Sequence, residues 1–159
     1  MNYFIVLRSI TLFLFSLWFG GFLFYSGIVI SNAHAVVGDH ETVGMITQRV
    51  TGTLNIIGVP TIGFLFFTLI QEKKKLPVNK FKASFILLSL ITCCLIALFI
   101  FHALMSQYID PVKLELSEHK KFYRLHRVYL IISTVQFFCL LGYIPSFIKT
   151  LSPGELKSL

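Results

Sequence analysis

Acidic residues are scarce in this 159-residue chain: seven Asp and Glu in all, against fourteen Lys and Arg. Charged residues make up 13% of the sequence, where a soluble domain of this size carries roughly 25%. With 55% apolar residues and seventeen Phe, that shortage excludes a disordered chain and an ordinary soluble domain. Cysteine is sparse too. Cys93, Cys94 and Cys139 lie in apolar stretches without C-x-x-C spacing, so no disulfide scaffold exists and the thiols read as small apolar filler. Enzyme signatures are missing as well: no Gly-rich phosphate loop, no G-x-S-x-G and no H-E-x-x-H. The net charge of +7 does not read as a nucleic-acid surface, because the basic residues sit in short links beside long apolar runs.

Those runs are the main signal. A hydrocarbon core of ~30 Å needs ~20 mostly apolar residues in a helix. Four segments qualify, at about residues 9–30, 50–70, 83–105 and 128–147. Short polar links join them, so the sequence predicts an all-α, integral membrane four-helix bundle of up-down-up-down topology, in one domain spanning residues 1–159. Ala33-His34-Ala35 after the first segment resembles a signal-peptide cleavage site. The apolar stretch before it is longer than the 7–15 residues of a signal core, so it reads as a retained helix.

Lysine and arginine orient the bundle. Lys73, Lys74, Lys75, Lys80 and Lys82 crowd the middle link, with Arg8, Lys149 and Lys157 on the same side. The opposite side carries Arg49, Lys113, Lys120, Lys121, Arg124 and Arg127, partly offset by Asp110, Glu115 and Glu118. This distribution places both termini and the lysine link in the cytoplasm. No Asp or Glu falls in any of the four apolar segments, which argues against a pump built on an intramembrane carboxylate and against a carboxylate-based metal hydrolase.

Small residues suggest packing grooves: Ser16, Gly20 and Gly27 on the first helix, Gly52, Gly58 and Gly63 on the second. Pro60 and Pro145 should kink their helices. Tyr25, Tyr108, Tyr123 and Tyr129 suit interface anchors, and Trp18, too deep for that role, reads as packed in the bundle or facing lipid tails.

The polar residues concentrate on one side. All five histidines, His34, His40, His102, His119 and His126, fall at the non-cytoplasmic end, as do Arg49, Arg124 and Arg127. Two polar stripes run inward from that end at helical spacing. One is Gln48, Thr51, Asn55 and Gly58; the other is His126, Tyr129, Ser133 and Gln136. Unpaired polar groups facing lipid cost several kcal/mol, so both stripes should face the interior. Two readings follow. They are hydrogen-bond glue between helices, or they line a binding pocket open to the outer side, with Gln48, Arg49, Thr51, Asn55, Arg127, Ser133 and Gln136 as its candidate residues. His102 and His126 would be neighbours if they share a depth. Two such histidines suit a b-type haem, and together with Met105 they suit copper. The plainer reading is that these histidines bond loop carbonyls and hold no cofactor. Surface ion pairs with Asp39, Glu41, Asp110, Glu115 or Glu118 are the default for the three arginines.

Three strings carry a resemblance: Leu17-Trp18-Phe19-Gly20-Gly21-Phe22, Gln48-Arg49-Val50-Thr51-Gly52-Thr53-Leu54-Asn55 and Tyr123-Arg124-Leu125-His126-Arg127-Val128-Tyr129. Together they resemble a group of uncharacterised bacterial four-helix inner-membrane proteins. The Trp-x-Gly-Gly element is similar, more remotely, to copper-resistance D-type membrane domains. The resemblance implies a four-helix membrane fold and offers no activity or catalytic residues to carry over; its copper branch puts weight on His102, Met105 and His126. The expected role is therefore non-enzymatic, binding a small ligand or metal. The alternatives are an accessory subunit of a larger membrane complex and a haem or copper redox protein. The expected partners are the lipid bilayer and other membrane-protein subunits.

Overall fold

A long apolar stretch in lipid has to satisfy every backbone N–H and C=O within itself, and the helix does so. The computed structural model describes residues 3–74, 76–110 and 115–151, and the chain there is helical almost throughout. The first span is built in three joined pieces, α1 (Tyr3–Phe24), a π-helical turn (Tyr25–Val29) and α2 (Ile30–Val37). Then come α3 (His40–Gln71), α4 (Val78–Ser106), a short hairpin of β1 (Ile109–Asp110) and β2 (Glu115–Leu116), and α5 (His119–Leu151). Four helices are long and apolar enough to cross a membrane, at Tyr3–Val37, His40–Gln71, Val78–Ser106 and His119–Ile148. This architecture fits a multi-pass membrane protein, with the start of the first span and the end of the last on the same side. Lys75, Lys113 and Lys157 of the charge distribution lie outside the described residues.

The helices overrun the apolar segments at the histidine end. The expected polar link between the first two spans is itself helical, and the break is reduced to Gly38 and Asp39. Gly38 takes φ +71°, the left-handed conformation that closes a helix, and donates its N–H to the His34 carbonyl at 3.2 Å. Asp39 then caps α3: its carboxylate accepts from the Thr42 N–H at 2.8 Å, the Thr42 hydroxyl at 2.6 Å and the Glu41 N–H. The Thr42 hydroxyl, then the backbone donors, hold the Asp39 carboxyl below its ordinary value. A depressed carboxylate contributes stability above its unfolded pKa of about 4 and loses it as pH falls through the folded value. Amide exchange in the first turn of α3 should therefore quicken below about pH 4 in the wild type. In Asp39→Ala it should be fast at every pH; an acid-insensitive wild type would remove the cap from the account.

Packing follows chain order. α1 packs on α3, α3 on α4 and α4 on α5. The buried face of α1 is Leu7, Thr11, Phe15 and Trp18, a helical i, i+4, i+8, i+11 series. Ser16, Gly20 and Gly27 lie on other faces and are exposed. No atom comes within 4 Å of where a Cβ would stand at Gly20, Gly27 or Gly63, so these three are not the expected grooves. The close approaches are elsewhere. A Cβ on Gly58 would lie 2.7 Å from the Trp18 ring, one on Gly52 2.7 Å from His102 Nε2, and one on Gly21 3.1 Å from Leu54. Two of the three strings of the resemblance thus contribute to a helix seam, through Trp18 and Gly21 and through Gly52 and Leu54.

The apolar core has two parts. One runs through Trp18, Leu65, Leu69, Leu88, Ile91, Leu140, Tyr143 and Phe147. The other, at the histidine end, joins Leu98, Met105, Leu116, Phe122 and Tyr129. Outward faces remain apolar, as at Phe13, Ile56, Ile86 and Phe138, which suits lipid contact. At the opposite end Arg8 bonds Glu72 at 2.6 Å with both side chains largely buried, and Thr11 meets Thr68 at 3.0 Å.

Candidate functional site

Both polar stripes turn inward: Gln48, Thr51, Asn55, Gly58, Tyr129, Ser133 and Gln136 are all buried. Their partners divide them. Gln48 donates its amide to Ser106 Oγ on α4 at 2.9 Å, and His102 Nε2 donates back to the Gln48 carbonyl at 3.0 Å. Thr51 bonds its own helix through the Thr47 carbonyl at 2.9 Å. Asn55 reaches α5, donating to the Tyr129 hydroxyl at 3.0 Å. Gln136 donates to the Ile91 carbonyl on α4 at 3.4 Å. α4 packs against both α3 and α5 and takes the side-chain hydrogen bonds of Gln48 and Gln136, while Asn55 joins the two stripes directly through Tyr129. Arg127 is exposed, and so is Arg49, which lines a small cavity with Gln48, His102 and Ser106.

The three candidate metal or haem residues each have neighbours of their own. His102 is held at the α3–α4 seam against Gly52 and Gln48. Met105 is 1% exposed inside the outer core. His126 stacks on Phe122, ring centroids 6.0 Å apart, and lines a cavity with His34, His40, Gly44 and Thr47. Three of the five acids expected to pair with the arginines have other partners, and the side chains of Asp110 and Glu115 lie outside those described. Asp39 caps α3, Glu41 meets His119 at 3.2 Å, and Glu118 meets Lys121 at 2.9 Å. Tyr25 and Tyr129, expected at the interface, are buried. The Tyr25 hydroxyl turns toward Thr47 and Tyr129 without completing a hydrogen bond.

What the structure does assemble is a cavity of about 480 Å³ at the histidine end, where the first span, α3 and α5 meet. His34, His40 and His126 line it, one from each of the three helices, together with Thr47, Phe122 and Tyr123. The His34 and His40 rings are 5.0 Å apart. That pair follows directly from the Gly38-Asp39 break, which reverses the chain within two residues. Gly44, on the same cavity wall, leaves ordinary contact distance, 4.0 Å, between a Cβ and Phe122. Among the described residues no three His, Cys, Asp or Glu side chains come close enough to hold a metal ion. The three imidazoles therefore stand apart as hydrogen-bonding groups, each able to donate from one ring nitrogen and accept at the other. His34 and His40 were legible in the sequence only as members of the histidine-rich end; their spacing of six residues meant nothing until a two-residue break folded them together. Comparison with protein-family models, with curated proteins and with solved structures finds no match to this chain.

Proposed function

We propose that this chain is a non-enzymatic protein of the cytoplasmic membrane that binds a small ligand from the outer side, at the cavity between His34, His40 and His126. The observation that carries the reading is the convergence of three histidines from three helices on one cavity of about 480 Å³, within the range of small-molecule sites. The lysine-rich link at the other end supports placing both termini inside and the histidines outside. The binding groups lie at the helix ends rather than along the buried stripes, whose donors are taken by neighbouring helices.

The test is the complement of small molecules and metals that stays with the protein through purification in mild detergent, read by mass spectrometry. Gly44→Leu adds bulk to the cavity wall at a position with room for the first carbon. The wild type should carry a bound species that this variant lacks, with both proteins unfolding at similar temperatures. Identical complements in the two preparations would sink the proposal.

A further inference from the structure

Below the histidine cavity the first span and α5 part company. Deeper in the bundle they touch through aromatic rings, Phe15 on Phe147 at 4.7 Å and Phe19 on Phe137 at 5.6 Å. Toward the histidine end they separate and leave an apolar groove of about 440 Å³, lined by Phe22, Leu23, Gly27, Leu130, Ser133 and Phe137. Small residues hold it open, since nothing comes within 4 Å of a Cβ at Gly27. The π-helical turn Tyr25–Val29 runs along this wall; such turns recur at functional sites. Ile30 and Leu130 line both the groove and the histidine cavity, so the two adjoin end to end.

We infer that the cavity and the groove form one site for a quinone carrying a hydrocarbon tail, its ring among His34, His40 and His126 and its tail along the groove toward Phe137. The inference rests on the ligand-binding reading above and names the class of ligand. The shape calls for an amphiphile, because a chamber carrying three imidazoles and a threonine hydroxyl meets an apolar channel that opens between two lipid-facing helices. The chemistry of the chamber selects the head. Among the described residues its lining contains no Lys, Arg, Asp or Glu, so an anionic phosphate finds no cation among them and an ammonium finds no carboxylate. Imidazole N–H groups donate to quinone carbonyl oxygens, and the bare ring nitrogens accept from the hydroxyls of the quinol. Phe122 and Tyr123 offer aromatic faces for the ring. A metal ion would want more ligands than the cavity brings together.

Trp18, the single tryptophan, reports on the tail. It sits behind Phe22 and Phe137, which it shares with the groove as neighbours. The probe is a benzoquinone with a decyl tail ending in bromine, a contact quencher, added to the full chain in mild detergent. Quenching of Trp18 should saturate. Gly27→Leu, which fills open space in the groove, and His126→Leu, which removes a ring partner, should each weaken the apparent affinity about tenfold or more. Two variants at opposite ends of the site keep the test valid if one of them folds poorly. Quenching that rises linearly without saturation, or saturates equally in both variants, would overturn the inference. Zinc and dodecyl phosphate are titrated in parallel by thermal shift. Stabilisation by either one that Gly44→Leu abolishes, beside linear quinone quenching, would leave the ligand site standing and remove the quinone.

Discussion

Arg8→Leu is expected to destabilise the protein by about 3 kcal/mol, because it removes one ion-pair partner of a buried carboxylate and the bond that joins two helices. Arg8 and Glu72 meet at 2.6 Å, with side chains 17% and 7% exposed. Taking two charges out of water is costly, and only their mutual attraction and hydrogen bonding offset it. Removing one partner keeps the desolvation cost of the other. Glu72→Leu should be damaging for the same reason, while the double variant Arg8→Met with Glu72→Leu should recover most of the loss. Thermal unfolding in mild detergent reads all four proteins. Equal losses that simply add in the double variant would show that the pair is not coupled. The pair ties the start of α1 to the end of α3, beside the Thr11–Thr68 contact, and so sets the angle at which the first span leans on α3.

The second large effect is expected at Gly58. A methyl group there would lie 2.7 Å from the Trp18 ring, which is 3% exposed. Gly58→Ala should cost about 1–3 kcal/mol by overpacking, despite the better helix propensity of alanine. The emission of the sole tryptophan should move with it. Gly63→Ala is the control, since its Cβ would meet open space, and it should be neutral or slightly stabilising. Trimming the ring in a Trp18→Leu, Gly58→Ala pair should restore part of the lost stability. A Gly58→Ala protein as stable as the wild type, with unshifted emission, would mean that the α1–α3 seam is looser than its geometry implies.

Much of the architecture could be read without coordinates. Hydropathy alone marks four spans, since ~20 apolar residues have few stable fates outside lipid. The inward turn of Gln48, Asn55, Ser133 and Gln136 also follows from the cost of exposing amides and hydroxyls to hydrocarbon. Helix ends were harder. Polar residues 31–49 look like a link by composition, yet helix continues through most of them, because outside the hydrocarbon water and caps satisfy a polar helix as well as a loop. Neighbours were harder still. Gly20 and Gly58 look alike as small residues in apolar runs, but only Gly58 faces a neighbouring ring. Which glycine matters depends on how the helix is rotated, and in a helix that is apolar all round the pattern carries little information about rotation.

The histidines show the same division. Composition placed five of them at one end of the bundle, and that grouping follows from the positions of the spans. It could not say which would meet. His102 and His126 end adjacent helices, yet the rotation of α4 sends His102 to the seam with Gln48, while α5 turns His126 toward His34 and His40. The sequence by itself determined the number of helices, their burial in lipid and the polarity of one end, because these depend on transfer energies summed along the chain. The tertiary structure alone decided the histidine cavity and the groove beneath it. They depend on a two-residue chain reversal at Gly38 and Asp39, on the separation of the first span from α5, and on side-chain shapes that meet only once the helices are packed.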